Sequence, residues 1–184
     1  MYTYKDIIIT HTEGLFSPLH ADRGTVAMLS VAVLTPGMRV LDLGCGAGLV
    51  GIYAARIVGA QNVLCVDVDA AAVNATRLNA LENGFELNAI QSDGFQNVTE
   101  AGFDAILSNP PYQTDFAVAK HFIEKGFNRL KLGGSLYMVT KRRIWYENKL
   151  KSVFGGCSVR EIDGYFVFTA QKRQFERAAR KHNK

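Results

Sequence analysis

A seven-stranded, mostly parallel α/β sheet with helices on both faces and one antiparallel strand is predicted by three observations. Short runs that read as strands, several of them apolar and buried, recur along the chain at 39–43, 62–66, 86–91, 103–107 and 135–140, and helical patterns separate most of them. The first run passes directly into Gly44-Cys45-Gly46-Ala47-Gly48 and a helix from Leu49 to Val58, the opening of a nucleotide-binding βαβ unit. Finally, Val159 to Ile162 and Tyr165 to Thr169 flank Asp163-Gly164, a two-residue hairpin signal, so one closing strand must run against the rest near the sheet edge.

Composition narrows the class of protein. The chain has 184 residues, 48% hydrophobic and 21% charged, which suits one compact domain with a substantial core; residues 1–184 are read as one domain. No linker, repeat or low-complexity stretch interrupts it, and no apolar run approaches a membrane span, so a cytoplasmic protein is expected. Cys45, Cys65 and Cys157 are an odd number without metal-type spacing, which argues against a disulfide framework and against a zinc site. No metal is implied.

The net charge of +4 conceals an asymmetry. Residues 1–119 hold 5 Lys/Arg against 12 Asp/Glu, whereas residues 120–184 hold 16 against 5. Lys141-Arg142-Arg143 follows one strand, and the tail 171–184 is basic, with Glu176 its one acid. Such a balance points to a polyanionic partner, RNA above all, because Lys and Arg contacts to phosphate supply most non-specific nucleic-acid affinity. The alternative is a solvated face and a frayed tail.

Residues 1–37 read as a flap and a helix. Tyr4 to Thr10 forms a short strand, Gly14 a turn and Leu15 to Pro18 a loop. Asp22 then caps a helix through Val26, Leu29 and Val33 that Pro36-Gly37 stops. His20 and Arg23 are candidate ligand contacts; His11, His121 and His182 receive no role.

In the glycine loop, missing side chains let backbone approach a ligand at the following helix N-terminus, which makes Gly44, Cys45, Gly46 and Gly48 cofactor-binding candidates. The second strand ends at Asp67, 19 residues past Gly48, where an acid commonly bonds ribose hydroxyls; Asp69 is expected to cap the next helix, which Asn83-Gly84 stops. After the third strand, Asp93 and Phe95 could grip an adenine through its amino group and ring face, although Phe95 reads equally well as core. Helices are expected at 116–130 and 144–154.

The fourth strand, Phe103 to Leu107, delivers Ser108-Asn109-Pro110-Pro111-Tyr112. Each proline restricts the residue before it to extended backbone, which aims the Asn109 side-chain carbonyl and the Pro110 main-chain carbonyl. Pro110 and Pro111 lack an N–H, so the segment is rich in acceptors and poor in donors. It suits an amine with hydrogens to give, and Tyr112 offers a flat face for a planar group.

A dehydrogenase and a methyltransferase both open in this way, and charge separates them. Asp42 stands two residues before the first glycine, where the pyrophosphate of a dinucleotide would meet an unfavourable anion. S-adenosylmethionine brings an ammonium and a sulfonium instead. Asp42 to Gly48, with Asp67 and Asn109 to Tyr112, resembles the class I S-adenosylmethionine-dependent methyltransferases that act on nitrogen, a Rossmann-like family. Gly14 to Ser17, Gly24-Thr25, Asp93 and Thr114 to Ala119 further resemble the catalytic domain of bacterial small-subunit ribosomal RNA guanine-N2 methyltransferases, of the methyltransferase small domain type.

That resemblance implies S-adenosylmethionine as cofactor, ribosomal RNA or the small ribosomal subunit as partner, and an exocyclic guanine amine as acceptor. Asn109, Pro110, Pro111 and Tyr112 would be catalytic, with Asp42, Asp67, Asp93, Phe95 and Asn109 lining the cofactor site beside the glycine loop. Enzymes of that family often carry a further N-terminal domain of similar fold that helps bind RNA; none is expected within these residues, and a homodimer is one way to replace it. Two other acceptors fit the motif, a release-factor glutamine and an adenine amine. A non-catalytic RNA-binding module is the rival of another class, although it would be expected to have lost one of the two motifs.

Overall fold

The computed structural model describes residues 1–10, 20–110 and 116–173. The expected features at Gly14 and Leu15 to Pro18, the acceptor residues Pro111 and Tyr112, the match at Thr114-Asp115 and nearly all of the basic tail lie outside them.

Alternation within the central strands builds the core. In β3 (Val40–Leu43), β4 (Val63–Asp67), β6 (Phe103–Ser108) and β7 (Leu130–Thr140), side chains point to the two faces of the sheet in turn. Val40, Cys65, Leu107 and Tyr137 join one apolar cluster, while Leu41, Leu64, Ile106 and Leu136 join a second on the other face. Both faces are therefore buried, the condition that favours parallel strands under helices. On the first face lie α1 (Arg23–Val31), α2 (Leu49–Val58) and α3 (Ala70–Glu82). The second is covered by α4 (Phe116–Arg129) and α5 (Arg143–Phe154).

With β5 (Asn88–Gln91), β8 (Ser158–Ile162) and β9 (Tyr165–Gln171), the sheet has seven strands in the order β5-β4-β3-β6-β7-β9-β8. β9 pairs antiparallel with both neighbours and is the one reversed strand, as the Asp163-Gly164 turn requires. The chain reverses direction of travel between β3 and β6, which pair directly. The loops that leave their carboxyl ends are thus neighbours.

Several boundaries differ from expectation. The amino-terminal strand is a hairpin, β1 (Tyr2–Tyr4) with β2 (Ile7–Ile9), turned by Lys5 and Asp6 at φ 45° and 64°. Two adjacent residues of positive φ suit a tight hairpin turn, a conformation that propensity disfavours at Lys5. α1 ends at Val31 rather than reaching Val33, because Ala32 turns extended (ψ 127°) five residues before Gly37. β7 begins at Leu130, through the Gly133-Gly134 pair expected to precede it, since Gly133 and Gly134 bond the chain at Lys172. Among the described residues no helix is long and apolar enough to cross a membrane.

Candidate active site at the carboxyl edge of the sheet

The glycine loop leaves β3 and is tied down on two sides. Gly44 and Cys45 both donate to the Val66 carbonyl at 2.9 Å, and the Gly46 N–H donates to Asp67 Oδ2 at 2.9 Å. Asp67 Oδ1 accepts from the Asp69 N–H at 3.1 Å, so the acid expected at the ribose also braces the loop. Gly44, Gly46 and Gly48 have φ of 83°, 53° and 92°. A Cβ on Gly44 or Gly46 would meet open space, which leaves a cradle for a ligand against bare backbone, whereas one on Gly48 would lie 3.0 Å from Thr76 Cα. Gly48 is therefore required by helix packing as well as by its left-handed backbone.

Asp42 does its work behind the loop. Its side chain is 2% exposed and Oδ2 accepts from the Gly51 N–H at 2.9 Å. Gly48, the N-cap of α2, has no side chain to cap with, so the preceding strand lends a carboxyl to an otherwise unpaired N–H of the first turn. Burial pushes the Asp42 carboxyl up to about 7, partly offset by the Gly51 hydrogen bond. Burial likewise raises the Cys45 and Cys65 thiols, which keeps them inert at neutral pH.

A polar ladder on α3, absent from the sequence reading, supports the loop from a third side. Thr76 Oγ1 donates to the Gly46 carbonyl at 3.0 Å, and Asn79 Nδ2 donates to the Ala47 carbonyl at 2.8 Å. Asn79 Oδ1 accepts from the Thr10 N–H at 2.9 Å, and Asn83 bonds Ile8 through both its N–H and its carbonyl oxygen. Spacings of three and four along one helix face were the available signal.

At the end of β6, the Asn109 side chain is held by α1. Its Nδ2 donates to Asp22 Oδ1 at 2.6 Å and to Thr25 Oγ1 at 2.9 Å, across more than eighty positions of sequence. Asp22 caps α1 as expected, Oδ1 accepting from the Thr25 N–H at 2.8 Å. Gly24 permits the approach, since a Cβ there would stand 2.9 Å from the Tyr165 ring. Asn109 Oδ1 is buried and has no hydrogen-bond partner among the described residues, a rare state for a carbonyl oxygen. Pro110 is buried beside it. The site thus offers an acceptor of fixed direction.

Other candidates divide. Asp93 is exposed and, with Phe95, lines a cavity of about 800 Å³ that runs along α4 past Val118, His121 and Lys125. The Phe95 ring is 5% exposed and packs edge-on to Phe122 at 6.5 Å, which makes it mainly a core residue. Neither the glycine loop nor Asp67 lines that cavity. Arg23 reaches Asp163 at 4.0 Å, and His20 is exposed with Nδ1 3.2 Å from the Ala21 carbonyl.

Basic residues fall at both ends of the sheet. Lys141, Arg142 and Arg143 leave the carboxyl end of β7, on the same edge as Asn109, and lie over Tyr165, Phe116 and Phe166 at 5.0, 5.1 and 5.8 Å. Lys172 is at the opposite edge: Gln171 pairs with Ser135 and Phe166 with Thr140, so the reversed β9 carries the chain away from the site. Its ammonium donates to the Leu130 carbonyl at 2.8 Å.

A glycine loop and an acceptor-rich motif leaving adjacent parallel strands, under helices on both faces, define the class I methyltransferase fold. The family model described as methyltransferase small domain matches residues 6–169, and the chain belongs to that family. Among similar proteins, ribosomal RNA small subunit methyltransferase C of Pseudomonas putida is 34% identical over 164 residues, covering 86% of this chain and 49% of the relative. That of Shewanella amazonensis is 34% identical over 173 residues, covering 91% and 50%. A T. thermophilus 16S rRNA N2 methyltransferase, solved in complex with AdoMet and guanosine, superposes with a TM-score of 0.82 at 30% identity, over 89% of this chain and 46% of that one. The chain spans about half the length of the curated relatives it matches.

Proposed function

We propose that this chain transfers the methyl group of S-adenosylmethionine to the exocyclic N2 amine of a guanine in ribosomal RNA. The observation that carries the reading is the buried carbonyl of Asn109, without a partner among the described residues, whose amide N–H groups are engaged by Asp22 and Thr25. Relatives named for ribosomal RNA, and a T. thermophilus relative holding AdoMet and guanosine, support the choice of donor and acceptor.

The residues fit that donor. The bare backbone at Gly44 and Gly46, the Asp67 carboxylate and the acidic first half would hold a cationic amino acid and a ribose, and the bound group would supply an electrophilic methyl on sulfur. A guanine amine is planar because its lone pair is delocalised into the ring, so it is a poor nucleophile. Asn109 Oδ1 and the Pro110 carbonyl would accept its two hydrogens, draw the nitrogen toward a tetrahedral shape and stabilise the positive charge that develops as the new N–C bond forms and the S–C bond breaks, the sulfur leaving with its electron pair as a neutral thioether. Tyr112 would stack the base and hold nitrogen, carbon and sulfur in line. The proton then leaves to water, and no strong base is needed.

Because pairing buries that amine, the target guanine must be unpaired or drawn out of its stack. Its flanking phosphates would meet Lys141 and Arg142, which share the edge of Asn109, whereas the start of the basic tail at Lys172 lies on the far edge. The Arg142 guanidinium lies over the Phe116 ring and can turn its N–H groups to phosphate, whereas the Arg143 Nε already donates to Glu147 at 3.0 Å.

The test is transfer of labelled methyl to small ribosomal subunits from cells lacking this protein. Label recovered as N2-methylguanine, and reduced roughly 100-fold or more in Asn109→Ala, is expected. Transfer to release factors instead, or to no substrate while S-adenosylmethionine still binds, would overturn the proposal.

A further inference from the structure

The Asn109 amide has two orientations that differ only in exchanging oxygen and nitrogen, and only one of them presents a carbonyl to an incoming amine. Within the described part of the acceptor motif nothing selects between them: Pro110 cannot donate a hydrogen bond from its backbone nitrogen, and restricting the backbone leaves the side-chain flip free. The selection comes from α1. Asp22 Oδ1 and Thr25 Oγ1 stand 2.6 and 2.9 Å from Asn109 Nδ2, one a carboxylate that can only accept and one a hydroxyl. A flipped amide would set its oxygen against the Asp22 carboxylate, two acceptors at hydrogen-bond distance with no proton between them.

We propose that Asp22 and Thr25 are positioning residues for methyl transfer, which lock the Asn109 amide with its carbonyl toward the reacting nitrogen. This rests on the methyl-transfer reading of Asn109. The same Asp22 oxygen accepts from the Thr25 N–H at 2.8 Å, so the first turn of α1 and the acceptor group are fixed through one atom. Gly24 lets that turn seat against Tyr165, where a side chain would collide with the ring, and so gives the pair a rigid base on β9.

Two variants separate orientation from folding. Asp22→Ser keeps a good helix cap, since serine ranks with aspartate at that position, but its hydroxyl is too short to serve both the cap and Asn109. Thr25→Val removes one hydroxyl at constant shape. In each, kcat is expected to fall roughly 10- to 100-fold with the affinity for S-adenosylmethionine unchanged, the range that misorientation at a reacting centre produces. Asn109→Asp supplies the control, because a carboxylate has two equal oxygens and no wrong orientation. In that background Asp22→Ser should bring no further loss, and some gain, as it also removes a like-charge contact. A loss of the same factor in both backgrounds would assign Asp22 a merely structural role and overturn the proposal.

A second readout needs no substrate. In the wild type the two Asn109 Nδ2 protons should exchange slowly with water by NMR, and Asp22→Ser should release them. Fast exchange in the wild type overturns the proposal even if RNA is methylated. Slow exchange that Asp22→Ser abolishes supports it even if the acceptor proves not to be guanine.

Discussion

Asp42 is both the carboxyl nearest the glycine loop's origin and the cap of the helix that follows, and its protonation couples the loop to pH. Its folded value of about 7 stands above the roughly 4 of an exposed aspartate, so the folded state holds the proton more tightly than the unfolded chain. The stability this site contributes is therefore fully present below about pH 4 and is lost as pH rises through about 7. Asp42→Asn retains an acceptor for the Gly51 N–H and has no such proton. Its melting temperature is expected to gain several degrees on the wild type between pH 5 and 8, measured by calorimetry in matched buffers; a constant difference across that range would show that Asp42 does not titrate there. Asp42 is legible in the sequence because it precedes the glycines, but its partner is not. The Gly51 N–H becomes its partner only when α2 folds back over β3.

At the scale of elements, α3 is a clamp rather than a spacer. Thr76, Asn79 and Asn83 join the glycine loop to the amino-terminal hairpin, and Asn79 alone touches both. Asn79→Leu would remove the side-chain partner of the half-buried Ala47 carbonyl and of the Thr10 N–H, for a loss of about 1–3 kcal/mol in stability. Hydrogen exchange should quicken at Thr10 more than at Ile8, which Asn83 still holds, and the affinity for S-adenosylmethionine should fall roughly tenfold as the loop loosens. Unchanged exchange at Thr10 would refute the clamp. The sequence shows this helix by its caps, Asp69 and Asn83, whose signals are local. Its polar face reads as ordinary solvent exposure until the hairpin is seen lying on it.

For the molecule as a whole, the direction of one strand decides which basic residues share the edge of Asn109. The reversed β9 sends Lys172 to the edge opposite Asn109, while the parallel β7 delivers Lys141 and Arg142 beside it. Lys141→Glu with Arg142→Glu is expected to weaken binding of ribosomal RNA at least tenfold and to flatten its salt dependence, with Lys172→Glu changing either little. Filter binding across a salt series reads both. The reverse ranking would place the RNA on the other edge.

The seven strands, the glycine loop and the acceptor motif were determined by the sequence alone, because each is written in neighbouring residues: apolar runs, caps, glycines and prolines that act on the backbone within a few positions. The partners of Asn109, the support behind the glycine loop and the choice between two basic segments were decided only by the tertiary structure. Each depends on contacts between residues far apart in the chain, Asp22 with Asn109 and Asn79 with Thr10 among them, which local propensity does not encode and which helix packing and strand direction bring into being.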